Sequence, residues 1–347
     1  KMLMKSFHRV FVRTCAAFAT TSRVHRVVHR ATAGCPSTAA TSPTRLFATD
    51  FQPSSPPGTH GTPVFPDIDF SLVSMESEKR NQDPEAVFVV TGASRGIGLQ
   101  FVKALTTKTQ GKIVACCRKP EQATQLNEFI GTLPNPSRVE VIPLDLEEQS
   151  SIEAFGTRVR NTYNRVDILL NVAGLLGDSK TTPGPERSLA RVDRKWFETS
   201  LAINLIGPVM VTQELVPLLG QRRRPRKDND DGTKDRPAAV VANLSARVGS
   251  ISDNRIGGWY SYRISKAGLN QATRTMALEL GRQSVWCVAL HPGTTDTDLS
   301  KPFQANVKKE SLFPVDFTVN QLLSVIDSVH AEHSGGLYDW AGKSVSF

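Results

Sequence analysis

Tyr262 and Lys266 stand four residues apart in the run Tyr260-Ser261-Tyr262-Arg263-Ile264-Ser265-Lys266. On a helix that spacing puts a phenol and an amine on one face, one turn apart. A free phenol has a pKa of about 10 and exchanges protons poorly at neutral pH. A neighbouring ammonium favours the phenolate and brings the group towards working pH, which is what a general acid/base requires. Tyr260, six residues before Lys266, does not share that face, so Tyr262 is the candidate.

A second chemical signal lies far upstream. Thr91-Gly92-Ala93-Ser94-Arg95-Gly96-Ile97-Gly98 follows an apolar run and opens a helical stretch. Gly92 permits a tight turn, Gly96 lets backbone approach a pyrophosphate, and Gly98 lets the helix pack closely on the strand. The free N–H groups of the helix start then face the phosphates, with Ser94, Arg95 and Ile97 completing the turn. An NAD site would carry a carboxylate about 20 residues further on, bonded to the ribose 2′-OH. Here the sequence is Ala115-Cys116-Cys117-Arg118-Lys119, with no acid before Glu121. Arg118, together with Arg95, is placed instead to meet a 2′-phosphate, so the expected cofactor is NADP(H).

The elements that must position these groups alternate in type. Short apolar runs predict strands at Ala86–Val90, Lys112–Cys117, Val139–Leu144, Val166–Asn171, Ala238–Asn243, Val285–Leu290 and Gly336–Asp339. Most are continuous, not alternating, as expected when helices cover both faces of a parallel sheet. Helical stretches lie between them at 97–110, 121–130, 148–164, 194–219, 261–283 and 319–330. The expected fold is α/β: a Rossmann-type doubly wound parallel sheet of about seven strands, with ligands bound beyond the strands' carboxyl ends.

The spacing Gly-x-x-x-Gly-x-Gly, followed in register by Tyr-x-x-x-Lys, resembles the short-chain dehydrogenase/reductase family in its single-domain branch. The segments ANLSARVGSISDNRIGGWYSYRISKAGLN, HPGTTDTDLSKPF and GLYDWAGK resemble the C-factor or sniffer-like carbonyl reductases within it. The resemblance covers roughly residues 86–347 and implies hydride transfer between NADPH and a small-molecule carbonyl substrate, with Tyr262 as acid/base. It implies that Lys266 also bonds the nicotinamide ribose and that Asn204 completes a proton relay. Asp145, with Leu146 beside it, matches the position at the adenine edge. Asn171, Ala173 and Gly174 match the Asn-x-Ala-Gly motif flanking the cofactor. Pro292, Gly293, Thr295 and Thr297 match the loop that holds the carboxamide. The family's carbonyl-binding serine commonly stands three before a glycine, but three before Gly249 is Ala246. Ser245 is the nearest substitute, with Ser250 and Ser252 beyond it. That offset keeps an alternative open, an NADPH-binding signalling or sensor protein with little catalysis. Segments near 175–189, 253–259 and 299–313 would line the substrate pocket, with Trp259, Phe303 and Phe313 offering an apolar wall. In the resembled family the two long helices, here 194–219 and 261–283, often pair subunits, so the resemblance implies a homodimer or homotetramer.

Charge separates the chain into regions. Of 347 residues, 42 are basic and 33 acidic, a net charge of +9. Residues 1–49 hold eight of the basic residues and no acid, leaving 34 against 33 in the rest. The body is nearly neutral, which argues against nucleic-acid binding. The acid-free Arg/Ser/Thr/Ala tail has the composition of an organellar transit peptide, mitochondrial in preference to plastid, with Arg45-Leu46-Phe47-Ala48 resembling a mitochondrial processing site; the alternative is a basic tail that is not cleaved, on a cytoplasmic protein. Residues 50–84 are expected to be an irregular Pro/Gly/Ser-rich linker and 221–236 a solvated charged insertion. No uninterrupted apolar run approaches the roughly 20 residues of a membrane span. Five cysteines without Cys-x-x-Cys spacing suggest neither a disulfide scaffold nor a metal site.

Overall fold

The protein is described by a computed structural model that places residues 64–71, 73–220 and 236–347. Nine strands occur among them: β1 Val87–Thr91, β2 Lys112–Cys117, β3 Val139–Pro143, β4 Ile168–Asn171, β5 Ala239–Leu244, β6 Val285–His291, β7 Thr294–Thr295, β8 Leu312–Phe313 and β9 Leu337–Asp339. Seven of them form one all-parallel sheet in the order β3-β2-β1-β4-β5-β6-β9, and β7 and β8 pair separately. Eight α-helices accompany them: α1 Met75–Gln82, α2 Gly96–Lys108, α3 Thr124–Gly131, α4 Gln149–Thr162, α5 Arg194–Leu201, α6 Gly207–Leu219, α7 Tyr260–Leu280 and α8 Val315–Asp327.

The continuous apolar strands are buried on both sides. Phe88, Val90, Ile113, Ala115 and Cys117 face one core with α2 and α8, while Val87, Val89, Val114 and Cys116 face the other with α4 and α6. The adjacent cysteines therefore point to opposite faces, as strand geometry demands. The chain runs outward from β1 to β3 and then returns to β4. This reversal opens a crevice between the carboxyl ends of β1 and β4, where ligands of open α/β sheets bind.

Two sequence expectations need correction. The first concerns the linker, which was expected to be irregular through residue 84. Part of it is built into the domain. Ile68 is buried, its N–H donates to Gly342 O, and Asp67 accepts from Lys343 Nζ and the Ser344 N–H. Helix α1 follows, N-capped by Ser74, and its Arg80 is buried in an ion pair with Asp327 at 2.9 Å. Low local apolarity hid this segment, because its stability comes from partners more than 240 residues away. The second concerns Arg236. It does not belong to a solvated loop, since its guanidinium bonds the buried Asp167 and the carbonyls of Leu218 and Val166. The transit-peptide segment and residues 221–235 lie outside the described residues.

The long helix expected at 194–219 is present with those limits. A π-turn over Ala202–Ile206 divides it into α5 and α6. By length and composition alone this segment could cross a membrane, but it packs against α4 and α7 within the domain.

Breaking a buried ion pair by truncating one partner is costly. Arg80→Ala should lower the unfolding free energy by about 3 kcal/mol, measured by urea denaturation. An unchanged midpoint would show that α1 merely rests on the surface.

Candidate active site

The glycine turn joins β1 to α2. Gly92 and Gly96 have φ of +69° and +57°, a region that favours glycine. A Cβ on Gly92 would come within 2.8 Å of Ala173, and one on Gly98 within 2.2 Å of the Gly92 carbonyl. The turn is thus pressed against the β4 end on one side and the strand–helix junction on the other. Thr91 fixes the first contact, because its buried hydroxyl accepts from the N–H groups of Val172 and Ala173.

Helix α2 opens with no side-chain cap and no acid in its first turn, so its leading N–H groups remain available to an anion. Ser94 and Ile97 are half-buried in this turn, and Arg95 is exposed. Arg118 is exposed at the end of β2 with no ion pair among the described residues. A nucleotide's phosphates fit this cradle.

Arg95 itself pairs with Asp298 at 3.2 Å, linking the glycine turn to the loop after β7. Between β6 and β7, Gly293 has φ +72°, and a Cβ there would meet Phe313 at 2.7 Å and Trp340 at 3.0 Å. Thr295 is buried and shares a hydrogen bond with Thr318 at 3.0 Å, and the Thr297 N–H donates to Ser300. Pro292 is half-buried before it. Asp145 accepts from the Glu147 N–H, while the Leu146 side chain packs against Gly207.

Asn171 is placed differently from its expected role at the cofactor. Its side-chain amide donates to Thr212 and to Asn243, whose own amide donates to Thr273 at 2.8 Å. This buried ladder ties α6, β4, β5 and α7 together below the crevice. Asn171 supports the site through the sheet, and its side chain is not offered to a ligand.

Lys266 and Tyr262 sit on the first turns of α7. The Lys266 ammonium nitrogen lies 5.7 Å from the Tyr262 ring centroid and donates to the Leu244 carbonyl at 2.8 Å. Lys266 is buried with no carboxylate in ion-pair range among the described residues, and burial pushes its pKa down to about 7. Burial pushes the Tyr262 phenol up to about 12, opposite to the lowering expected from a neighbouring ammonium, because desolvation of the phenolate outweighs an amine that is itself held near 7. The Cβ position of Gly174 lies 3.1 Å from Asn204 Oδ1 and 3.7 Å from Lys266 Nζ, so these three residues converge.

Asn204 occupies the π-turn and is fully buried. Its side chain accepts from the Leu175 N–H and donates to the Leu175 carbonyl, both at 2.9 Å. The side chain is therefore spent on clamping the chain after Gly174.

Ser245 is turned away. Its hydroxyl is buried and donates to Asn270 Oδ1 at 2.6 Å, under α7. Strand alternation explains this: one residue early means the opposite face. Ser250 is also engaged, with the Ser346 carbonyl and Ser252. Of the expected aromatic wall, Trp259 lies 5.4 Å from Phe303 and 6.3 Å from the Tyr262 ring. Phe313 instead packs with Phe317 and Trp340 beneath Gly293.

The comparisons agree with this geometry. Residues 86–308 match the short chain dehydrogenase family model. The chain belongs to the short-chain dehydrogenase family. Among its relatives is the C-signal protein of Myxococcus xanthus, 34% identical over 194 residues, covering 56% of this chain and 99% of that one. An uncharacterized oxidoreductase of Schizosaccharomyces pombe is 28% identical over 273 residues, covering 75% of this chain and 98% of that one. The NADPH-bound carbonyl reductase from chicken fatty liver superposes with a TM-score of 0.63 at 28% identity, over 76% of this chain and 99% of that chain. The carbonyl reductase Sniffer of D. melanogaster gives 0.64 at 25% identity, over 76% and 100%.

Sequence reasoning missed Thr91, Asn243, Asn270, Asp298 and Glu186, all of which hold the site's walls together. A polar residue at a strand end was the one available signal for Asn243, and Asn270 sits within α7 with no such mark. Asp298 and Glu186 look like ordinary loop carboxylates.

The depressed Lys266 pKa has a stability consequence. Below about pH 7 the folded state must hold a buried charge, and above it the folded amine is neutral while the unfolded one stays protonated to about 10.5. The unfolded state then binds the extra proton, so this penalty on stability shrinks as pH rises from about 7. In the absence of added nucleotide, Lys266→Met should raise Tm at pH 6 by more than at pH 9. Equal shifts at both pH values, followed by scanning calorimetry, would refute the assignment.

Proposed function

We propose that the chain is an NADPH-dependent carbonyl reductase, interconverting a carbonyl and an alcohol, with Tyr262 as the proton donor. The convergence of Tyr262, Lys266, Asn204 and Gly174 beside a glycine cleft built for a dinucleotide carries this reading. The glycine turn and the α2 N–H groups would hold the pyrophosphate. Arg118 would meet the 2′-phosphate, with Arg95 exchanging its Asp298 partner for it. Asp145 and the backbone at Leu146 would border the adenine, Ala173 and Gly174 would flank the sugar, and the Pro292–Thr297 loop would hold the nicotinamide. The bound cofactor supplies the hydride. The chicken reductase, matched over 99% of its length, is NADPH-bound, which supports the cofactor choice.

The chain's own residues account for the proton. A phenol near 12 keeps its proton at neutral pH, as a donor to a carbonyl oxygen must. An amine near 7, one turn along, exchanges protons at the same pH and can restore it. With the Ser245 hydroxyl committed to Asn270, Tyr262 carries the polarisation of the carbonyl unaided by that serine. Trp259 and Phe303 give the substrate an apolar wall. We also infer, on composition alone, that residues 1–49 direct import into a mitochondrion or plastid.

The purified chain should oxidise NADPH in the presence of ketones, aldehydes or quinones. Tyr262→Phe should cut turnover by about 10²–10⁴-fold while leaving NADPH binding intact. NADPH binding without turnover on any carbonyl would favour the sensor reading instead. Arg118→Ala should weaken NADPH binding at least tenfold and leave NADH binding unchanged, by fluorescence titration. Equal losses for both nucleotides would sink the 2′-phosphate assignment.

A further inference from the structure

We infer that Glu186 is a positioning residue: its buried carboxylate caps the first turn of α7 from the substrate loop and thereby sets where the Tyr262 hydroxyl stands. The inference rests on the proposed role of Tyr262 and adds to it the device that holds that residue in register.

Helix α7 begins without a cap of its own. Its N-cap position is Trp259, which has no side-chain oxygen and makes no cap hydrogen bond. Ser, Thr, Asp or Asn would ordinarily accept from the second or third N–H of the helix. Trp259 also has φ +55°, in the left-handed region that bulky residues rarely enter, and follows Gly257 and Gly258 at +72° and +67°. The tryptophan is retained at this strained position with its ring edge-on to Tyr262 and against Phe303. Something outside the helix must satisfy its leading donors.

Glu186 does so twice. Its carboxylate oxygens accept from the Ser261 N–H at 3.2 and 3.4 Å, and its backbone carbonyl accepts from the Trp259 N–H at 2.5 Å. Ser261 is the second residue of the helix, and Tyr262 is the next. Glu186 is 3% exposed and has no ion pair among the described residues. A buried carboxylate without a cation is expensive unless a dipole faces it, and the positive end of a 21-residue helix does.

The loop that carries Glu186 is itself fixed. Asp178 accepts from the N–H groups of Lys180, Thr181 and Thr182, closing a tight turn. A Cβ on Gly184 would come within 2.3 Å of Trp196 Nε1, and one on Gly177 within 2.7 Å of the same ring, so the loop lies flat on α5. Arg263 completes the clamp from the other side, donating to the carbonyls of Gly258 and Val248. A misplacement of about 1 Å at a reacting group can cost on the order of 10²-fold in rate.

Three variants of the full chain separate reach from charge. Glu186→Asp keeps the charge but shortens the side chain by one methylene. Glu186→Gln keeps the reach and an accepting oxygen but loses the charge. Glu186→Ala loses both. With NADPH and a carbonyl turned over by the wild type, Glu186→Asp and Glu186→Ala should lower kcat by about 10- to 100-fold. The Kd for NADPH should stay within twofold, because the glycine turn is built from other elements. Glu186→Gln should retain at least a third of the wild-type kcat and the same pH profile. A Glu186→Asp variant with wild-type kcat would overturn the inference, as would Glu186→Gln failing as badly as Glu186→Ala. Should Glu186→Ala not fold, the Asp and Gln pair decides alone. Absence of turnover in the wild type would instead condemn the reductase reading.

Discussion

Everything at the crevice follows from burying one amine without a carboxylate beside it. Lys266 gives up hydration and receives in return the Leu244 carbonyl and the face of the Tyr262 ring. Such a group is tolerable only if its surroundings cannot relax and let water in. The structure meets that demand by joining β5 to α7 at three levels. Leu244 holds the amine, Ser245 bonds Asn270 one turn deeper, and Asn243 bonds Thr273 below that. Consecutive residues of one strand end thus engage successive positions along one helix.

The same logic explains the placement of residues whose side chains do not face the crevice. Asn171 extends the polar ladder across β4 to α6, and Thr91 stitches the end of β1 to the start of the loop after β4. Asn204 sacrifices regular helical geometry to grip both backbone groups of Leu175. These buried side chains bond one another and the backbone across four elements, so the cluster specifies one arrangement instead of many. Rigidity at the strand ends, not proximity in sequence, brings residues 92, 174, 204, 262 and 266 to one place.

The parallel sheet, its approximate strand limits and the glycine turn were legible because each leaves a local signature. Continuous apolar runs, a fixed glycine spacing and a four-residue helical step require no knowledge of distant partners. What stayed illegible depends on contacts remote in the chain. Ser245 faces inward because of strand parity relative to a helix beginning 15 residues later, and a one-residue offset in sequence gives no warning of which face wins. Glu186 resembles a surface acid until Trp259 is seen to lack a capping group. The π-turn at Ala202–Ile206 leaves no compositional trace, and the apolar helix containing it looks continuous. Helix α1 and Ile68 were lost inside a stretch whose prolines and glycines signal a linker.

That last segment has a consequence for how the molecule is assembled. Strand β9 closes one margin of the sheet, and Asp67 and Ile68 bind the residues just beyond it while Arg80 reaches Asp327. The first described residues therefore find their partners only after more than 240 further residues have been made. Until then β6 presents an unpaired backbone flank, the type of surface that invites pairing with other chains. Such distant closure slows folding. A recombinant fragment trimmed to the family match at residues 86–308 would lack both ends of this seam and leave that flank permanently open.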